Sequence, residues 1–138
     1  VTDYGCGVGN DGLYLLSKGV AVNFVDFSSR SLDFLKWRLE KREVDSNRYK
    51  IIPLPTDEKV HAEMFWSIDV IEHMKDPTEI FNFIGSETRV IAYFIDSDDD
   101  ASGRHPFHFK VDDVKLSAIF IEKGYSKMLM EPFTVWVK

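Results

Sequence analysis

Short apolar runs alternate along the chain with segments in which apolar residues recur at helical spacing. The runs have the length of β-strands: VTDY, VAVNFVDF, RYKIIPL, AEMFWSID, TRVIAYFI, YSKMLMEP and FTVWVK. The helical segments are 10–18, 28–43, a short one after Pro77, and 111–123. This alternation predicts an α/β fold with crossover connections and a mostly parallel sheet, covered by helices on both faces. The last two runs, with Pro132 between them, predict an antiparallel hairpin at one edge of the sheet.

The residues within the predicted helices indicate where each helix begins and which face it buries. Asn10 is predicted to cap the first helix, which ends near Lys18 and Gly19. Ser28 or Ser29 is predicted to cap the second helix. Helical spacing selects one inward stripe in each of two helices: Leu32, Leu35 and Leu39 in the second, and Val114, Ala118 and Ile121 in the last.

Composition and charge narrow the classes of protein that fit. The 138 residues are 44% hydrophobic, enough for a single domain over residues 1–138 with one sizeable core. The formal net charge of -6 argues against nucleic acid as a partner, and no apolar run reaches the roughly 18 residues that span a membrane. Cys6 is the one cysteine, so a reducing, cytoplasmic setting is expected. The chain starts almost inside a strand, which favours a domain trimmed at its N-terminus.

The stretch DYGCGVGND joins the first strand to the first helix and carries glycines at alternate positions, Gly5, Gly7 and Gly9. A glycine-rich turn at the carboxyl end of a parallel strand lets the backbone approach a ligand closely. Dinucleotide-binding loops have the spacing G-x-G-x-x-G, whereas the sixth position here is Asn10. Asp3 would repel a pyrophosphate and suits a ligand that carries an ammonium group.

Two later stretches extend this motif. Asp26 follows Gly5 by 21 residues, and FWSIDVIEHMKDP occupies the fourth strand and the turn after it. Together with D-x-G-x-G-x-G, these stretches resemble the signatures of the class I S-adenosylmethionine-dependent methyltransferases. The resemblance implies a Rossmann-like, open, seven-stranded sheet. It also implies S-adenosylmethionine (SAM) as the cofactor, with S-adenosylhomocysteine (SAH) as its product.

The resemblance assigns cofactor contacts to residues of these motifs. The residues implied to bind the cofactor are Asp3, Gly5, Cys6, Gly7, Gly9, Asp26, Phe27, Leu54 and Asp69. Asp26 matches the acid that takes the two ribose hydroxyls, and a carboxylate can accept both hydrogen bonds of a vicinal diol. Phe27 and Leu54 would pack against the adenine, and Asp69 would face the methionyl group or the acceptor. Cys6 is interpreted as a small filler of the turn and not as a nucleophile.

His73 and His108 are the candidate catalytic residues, because an unperturbed histidine pKa of about 6.5 suits a general base near neutral pH. A metal site was the alternative interpretation of this region. The stretch from Asp69 through Glu72 to His73 is similar to the Glu-x-x-Glu-His of small-RNA 2′-O-methyltransferases, which hold a divalent metal, and His105 lies near His108. Glu-His is far commoner without metal in the class I family, and an acidic chain fits RNA poorly. No metal is therefore predicted.

Two charged runs are interpreted as solvated surface. Asp96, Asp98 and Asp100 have the alternate spacing of a calcium-binding EF-hand loop. Such a loop would need glycine and glutamate where the chain has Ala101 and Phe107. The basic run KWRLEKR is interpreted as the solvent-facing side of the second helix.

The function predicted from the sequence is SAM-dependent transfer of a methyl group to an O, N or C atom of a small-molecule acceptor. A monomer or homodimer is expected, with no nucleic acid or membrane as partner. Two alternatives stay open. One is a non-catalytic module that keeps the methyltransferase fold and acts by binding. The other is an NAD-dependent oxidoreductase, against which the glycine spacing and Asp3 both count.

Overall fold

The computed structural model describes residues 1–60, 62–95 and 107–138. Its strands are β1 (Thr2–Tyr4), β2 (Val22–Phe27), β3 (Tyr49–Leu54), β4 (Met64–Ile68), β5 (Val90–Phe94), β6 (Ser126–Met130) and β7 (Phe133–Val137). Its α-helices are α1 (Asn10–Ser17), α2 (Arg30–Lys41) and α3 (Asp113–Glu122), and short 3₁₀ helices occupy Ser46–Arg48, Ile71–His73 and Pro77–Asn82. Each predicted strand and helix therefore has a counterpart. None of the helices in these ranges is long and apolar enough to cross a membrane.

All seven strands join one sheet in the order β3-β2-β1-β4-β5-β7-β6. The first five strands in this order pair in parallel, whereas β7 is antiparallel to both β5 and β6. This confirms the predicted Rossmann-like architecture with its antiparallel hairpin at one edge. The chain order reverses beside β1, since β2 lies on one side of it and β4 on the other. Ligands of open α/β sheets bind at such a switch point, outside the carboxyl ends of the strands.

The buried apolar side chains form one cluster on each face of the sheet. Consecutive residues of β2 illustrate the division, because Phe24 belongs to one cluster and Val25 to the other. The cluster under α1 and α2 contains Leu13, Leu16, Val22, Phe24, Leu32, Leu35 and Leu39. The larger cluster lies on the opposite face, where α3 and the 3₁₀ helix Pro77–Asn82 cover the sheet. The predicted stripe on α2 is confirmed, since its three leucines are buried.

The predicted inward stripe of α3 is wrong. The side chains that it would bury are exposed: Val114, Ala118 and Ile121. The helix instead buries Leu116 and Phe120, and the Phe120 ring stacks on Trp136 with 5.0 Å between centroids. Apolar residues lie on both sides of this helix, so their spacing alone did not select the packed face.

The N-terminal cap of α1 differs from the prediction, whereas that of α2 agrees with it in position. Gly9, with φ +74°, occupies the N-cap position of α1, and the side chain of Asn10 accepts a hydrogen bond from Arg38 at 2.8 Å. Ser29 occupies the N-cap position of α2, but its side chain makes no capping hydrogen bond. The end of α1 is as predicted, because Gly19 has a left-handed conformation (φ +91°) just beyond the helix.

Candidate functional site

The glycine-rich loop, residues 5–9, has a left-handed backbone at each of its three glycines. The φ angles are +72° at Gly5, +53° at Gly7 and +74° at Gly9. A Cβ atom at Gly5 would lie 2.2 Å from a methyl of Val70, and one at Gly9 would lie 2.4 Å from a methyl of Leu35. Nothing lies within 4 Å of the corresponding position at Gly7. Packing therefore requires two of the glycines, whereas the third leaves open space beside the backbone.

Hydrogen bonds tie this loop to the end of β2. The amides of Gly5 and Cys6 both donate to the carbonyl of Val25, at 2.8 and 3.2 Å. The amide of Gly9 donates to the carbonyl of Cys6 at 2.7 Å, which closes a tight turn within the loop. The Cys6 side chain is partly buried here, and burial raises the pKa of its thiol. Cys6 is accordingly a neutral filler of the turn at physiological pH, as predicted from the sequence.

The carboxylate of Asp26 connects the loop to the last residue of β2. Its Oδ2 accepts the amide of Gly7, and its Oδ1 accepts the amide of Phe27, both at 2.6 Å. Each carboxylate oxygen can accept a second hydrogen bond, so acceptor capacity remains for a ligand hydroxyl on either oxygen. Asp26 is half-buried, and the neighbouring Phe27 ring is 67% exposed. A carboxylate and an aromatic face thus stand side by side at the carboxyl end of β2.

Asp3 is a buried carboxyl group beneath the loop. Its Oδ2 accepts the amide of Gly12 at 3.1 Å, in the first turns of α1. The pKa of Asp3 is raised to about 7, chiefly by burial; the nearby Asp11 and Asp26 act in the same direction, and the Gly12 hydrogen bond opposes them. Burial therefore favours the neutral form of this carboxyl group. A cationic ligand group beside it would favour its ionised form.

Two cavities meet at Gly5. The larger, of about 400 Å³, is lined by Asp26, Phe27, Leu54 and His73 among others. The smaller, of about 190 Å³, is lined by Asp3, Cys6, Val8, Asn10, Asp11 and Ile68 as well as by Gly5. Six of the nine residues predicted to bind the cofactor line one cavity or both: Asp3, Gly5, Cys6, Asp26, Phe27 and Leu54.

The other three predicted residues contribute differently. Gly7 and Gly9 shape the loop through their contacts with Asp26 and Leu35. Asp69 is exposed at the end of β4, has φ +52°, and donates its amide to the carbonyl of Phe94 at 3.2 Å. Asp69 lies between residues that line the two cavities, Ile68 and Val70. Its contact with a cofactor stays a prediction.

The candidate bases His73 and His108 lie against each other. Their rings meet edge to face, with 4.5 Å between centroids and 81° between planes. His73 lines the larger cavity, and His108 lines a third cavity of about 410 Å³ that also contains Tyr93. Phe109 lines both cavities, and its amide donates to the carbonyl of Glu72 at 2.6 Å. The two imidazoles therefore stand between the two spaces.

Some residues interpreted from the sequence lie outside the described ranges. These are His105 and the acidic run that contains Asp96, Asp98 and Asp100. Within residues 1–60, 62–95 and 107–138, no group of three or more His, Cys, Asp or Glu side chains is arranged to hold a metal ion.

Gly12 is a site residue that the sequence analysis missed. A Cβ atom there would lie 2.1 Å from the ring of Phe24 and 2.8 Å from Oδ2 of Asp3. Only glycine lets α1 approach β2 closely enough for its amide to reach the buried carboxylate. The signal was present in the sequence, because glycine costs about 1 kcal/mol relative to alanine inside a helix and so marks a close approach.

Comparison with known proteins places this geometry in a family. The family model described as "Methyltransferase domain" matches residues 2–85, which is more than half of the chain. No curated protein sequence matches the chain.

Solved structures share the fold at low sequence identity. The methyltransferase domain of bacterial CtHen1-C has a TM-score of 0.70 at 17% identity, covering 99% of this chain and 87% of that one. Magnesium protoporphyrin IX methyltransferase (ChlM) from Synechocystis PCC 6803, with bound SAH, has a TM-score of 0.77 at 15% identity, covering 99% and 73%. The [4+2]-cyclase SpnF has a TM-score of 0.68 at 14% identity, covering 93% and 52%.

The matched family model spans the glycine-rich loop, Asp26 and the turn after β4, which carry the resemblance seen in the sequence. The sheet order and the ligand-sized cavities at its switch point agree with that match. The chain belongs to the class I S-adenosylmethionine-dependent methyltransferase family.

Proposed function

We propose that the chain binds SAM across the two cavities that meet at Gly5. The adenosine half occupies the larger cavity, and the methionyl half occupies the smaller one. The observation that carries the proposal is that each cavity is lined by a carboxylate anchored by backbone amides, Asp26 in the larger and Asp3 in the smaller. SAM has a vicinal diol in its ribose and an ammonium group at its methionyl end, so each carboxylate has a matching partner.

The side chains around Asp26 suit an adenosine. Asp26 is anchored by two backbone amides, so its free lone pairs are fixed before the ribose arrives. Phe27 is exposed beside it and offers a face for the adenine ring, while Leu54 packs from the adjacent strand. Tyr4 and Val70 complete the apolar floor under Gly5.

SAM supplies a methyl group that its positive sulfur activates for displacement. The protein's part is to align the acceptor atom with the S–CH₃ bond and to exclude water. We assign to the His73 and His108 pair, whose rings are in contact, the role of accepting the proton from an O–H or N–H acceptor as the new bond forms. The products are SAH and the methylated acceptor.

The acceptor that we propose is a small molecule with an O, N or C nucleophile. The third cavity, of about 410 Å³, has room for one beside His108. A net charge of -6 disfavours a polyanionic acceptor such as nucleic acid. The lone cysteine suits a reducing, cytoplasmic compartment, and the domain is expected to act as a monomer or homodimer without a membrane partner.

Calorimetric titration with SAH, with NAD as a parallel ligand, tests the cofactor class. We expect SAH to bind the wild-type protein and Asp26→Asn to weaken binding about 30-fold. The asparagine oxygen can still accept the Gly7 amide, but an NH2 group then replaces the acceptor of the Phe27 amide. Losing that acceptor and the charge that strengthens hydrogen bonds to the ribose is expected to cost about 2 kcal/mol. The matched control is Asp33→Asn, an exposed carboxylate on α2 that is paired with Lys36 at 3.6 Å and lies outside both cavities. Equal SAH affinity in all three proteins would show that Asp26 does not contribute to cofactor binding.

The same titration separates the alternative functions. Binding of NAD in place of SAH would favour an oxidoreductase. Binding of SAM without methyl transfer to any acceptor in a metabolite panel would favour the non-catalytic module. Methyl transfer needs this direct test because a protein with this fold is named as a cyclase, so the fold alone does not imply a methyltransferase reaction.

A further inference from the structure

The guanidinium of Arg38 reaches from α2 to the glycine-rich loop. Its Nη1 donates to the carbonyl of Val8 at 2.5 Å and to Oδ1 of Asn10 at 2.8 Å. The guanidinium carbon also lies 5.8 Å from the centre of the Phe34 ring, which packs against its outer face. The ring and the two acceptors together define the orientation of a long side chain that would otherwise be mobile.

Arg38 contacts the half of the loop that does not bond to β2. Gly5 and Cys6 bond to Val25, and Gly7 bonds to Asp26. All of these contacts lie on the side of β2. The loop then turns through residue 8 to the start of α1, and α2 supports this second half through Leu35 and Arg38.

A loop with three left-handed glycines loses much conformational freedom when it is ordered. If the loop is ordered only when a ligand arrives, that cost is subtracted from the binding free energy. Val8 and Asn10 line the smaller cavity, so fixing them before binding fixes the wall of that cavity. A side chain that holds both residues therefore contributes to ligand affinity without touching the ligand.

We propose that Arg38 is a positioning residue that preorganises the second half of the glycine-rich loop for the methionyl end of SAM. The proposal rests on the proposed function for the identity of the ligand. Arginine suits this task because one of its nitrogens carries two hydrogens and serves both acceptors, while the guanidinium lies over the Phe34 ring. Lysine would bring one charge on a flexible stem, with no planar group to stack on Phe34.

This assignment corrects one interpretation made from the sequence. Arg38 lies within the basic run KWRLEKR, which was interpreted as solvent-facing surface. Lys36 and Lys41 are exposed as expected, whereas Arg38 is half-buried and bonded to residues about 30 positions earlier in the chain. The partner of the Asn10 side chain is likewise this arginine and not the amide groups of its own helix.

The test compares SAH affinity with the free energy of unfolding in variants of the whole chain. We expect Arg38→Met to weaken SAH binding about tenfold, because it keeps the aliphatic stem and removes both donated hydrogen bonds. Arg38→Lys is expected to recover part of the loss. The matched control is Arg42→Met, one turn further along α2, whose guanidinium donates to the carbonyl of Arg38 and not to the loop. This control is expected to bind SAH like the wild type.

A double-mutant cycle with Asn10→Ala separates positioning from general stability. If Arg38 acts through Asn10, adding Asn10→Ala to Arg38→Met lowers affinity by much less than Asn10→Ala does alone. Urea unfolding of each variant supplies the second readout. A loss of affinity that merely followed the loss of stability in Arg38→Met and Arg42→Met alike would overturn the proposal. So would unchanged affinity in Arg38→Met.

Amide hydrogen exchange in the ligand-free protein tests whether Arg38 orders the loop, and this test does not depend on which ligand binds. We expect the Gly9 amide, which bonds to Cys6, to exchange faster in Arg38→Met than in the wild type or in Arg42→Met. If the wild type binds no SAH, the proposed function fails, and the exchange rates still decide whether Arg38 orders the loop. Equal exchange in the three proteins would show that it does not.

Discussion

Replacing Asp3 with asparagine is expected to stabilise the empty protein at pH 8 by up to about 4 kcal/mol, while weakening its affinity for SAM. In the folded chain, burial raises the pKa of Asp3 from 3.8 to about 7. Each unit of such a shift corresponds to about 1.4 kcal/mol, so an ionised Asp3 opposes folding by up to that total. The asparagine is neutral at every pH, and its side-chain oxygen still accepts the Gly12 amide.

The sign and the pH window follow from the two pKa values. Below pH 3.8 the carboxyl group is protonated in both the folded and the unfolded state. It then opposes folding no more than the neutral asparagine side chain of the variant does. Between pH 3.8 and about 7 the unfolded state releases its proton first, and the stability of the wild type falls relative to Asp3→Asn. Above about pH 7 both states are ionised and the difference is constant. Urea unfolding of both proteins at intervals from pH 5 to 9 measures this divergence.

Asp33→Asn is the control for the loss of one negative charge, because Asp33 is an exposed carboxylate on α2. Parallel stability curves for wild type and Asp3→Asn would contradict the expectation. The affinity for SAM is expected to change with pH in the opposite direction to the stability of the wild type. An ammonium group beside Asp3 favours the ionised carboxylate, so SAM affinity in the wild type is expected to rise as the pH increases towards 7 and to lose that rise in Asp3→Asn.

Gly12→Ala is expected to destabilise the protein by about 3 kcal/mol. The new methyl group would lie 2.1 Å from the Phe24 ring and 2.8 Å from Oδ2 of Asp3, so α1 must move away from β2. Alanine is a better helix former than glycine by about 1 kcal/mol, and this gain offsets only part of the overpacking. The measurement is the free energy of unfolding in urea.

Gly19→Ala isolates the conformational part of such a substitution. Gly19 has a left-handed φ of +91° and open space around its Cβ position, whereas Gly12 is helical and crowded. We expect about 1 kcal/mol of destabilisation at Gly19, from the backbone conformation alone. If Gly12→Ala proved as stable as the wild type, the close approach of α1 to Phe24 would be wrong.

The order and type of the elements could be predicted from the sequence because each depends on local patterning. Alternating apolar runs and helical segments specified seven strands, and the leucine stripe of α2 was unambiguous because the opposite side of that helix is charged. The stripe of α3 was mispredicted because both sides of that helix are apolar. Contacts with distant rings such as Trp136 then decided which side was buried.

The candidate site could be predicted where a motif carries its own spacing. Asp3, Gly5 and Asp26 were found this way, and all three line the cavities at the switch point. Arg38 and Gly12 were missed because their roles depend on partners far along the chain. No local pattern tells a half-buried arginine at 38 from the exposed lysines beside it.

Most side chains at the candidate site lie at or beyond the carboxyl ends of strands, whereas the two apolar clusters are built largely from the strands and helices themselves. Evolution can therefore alter many loops around the ligand without disturbing the folding of the sheet. Asp3 is different, because it is an acid buried in the middle of β1. Under the proposed function, a lineage that gave up the ligand would be expected to gain stability by replacing this one acid, so Asp3 exchanges robustness for binding.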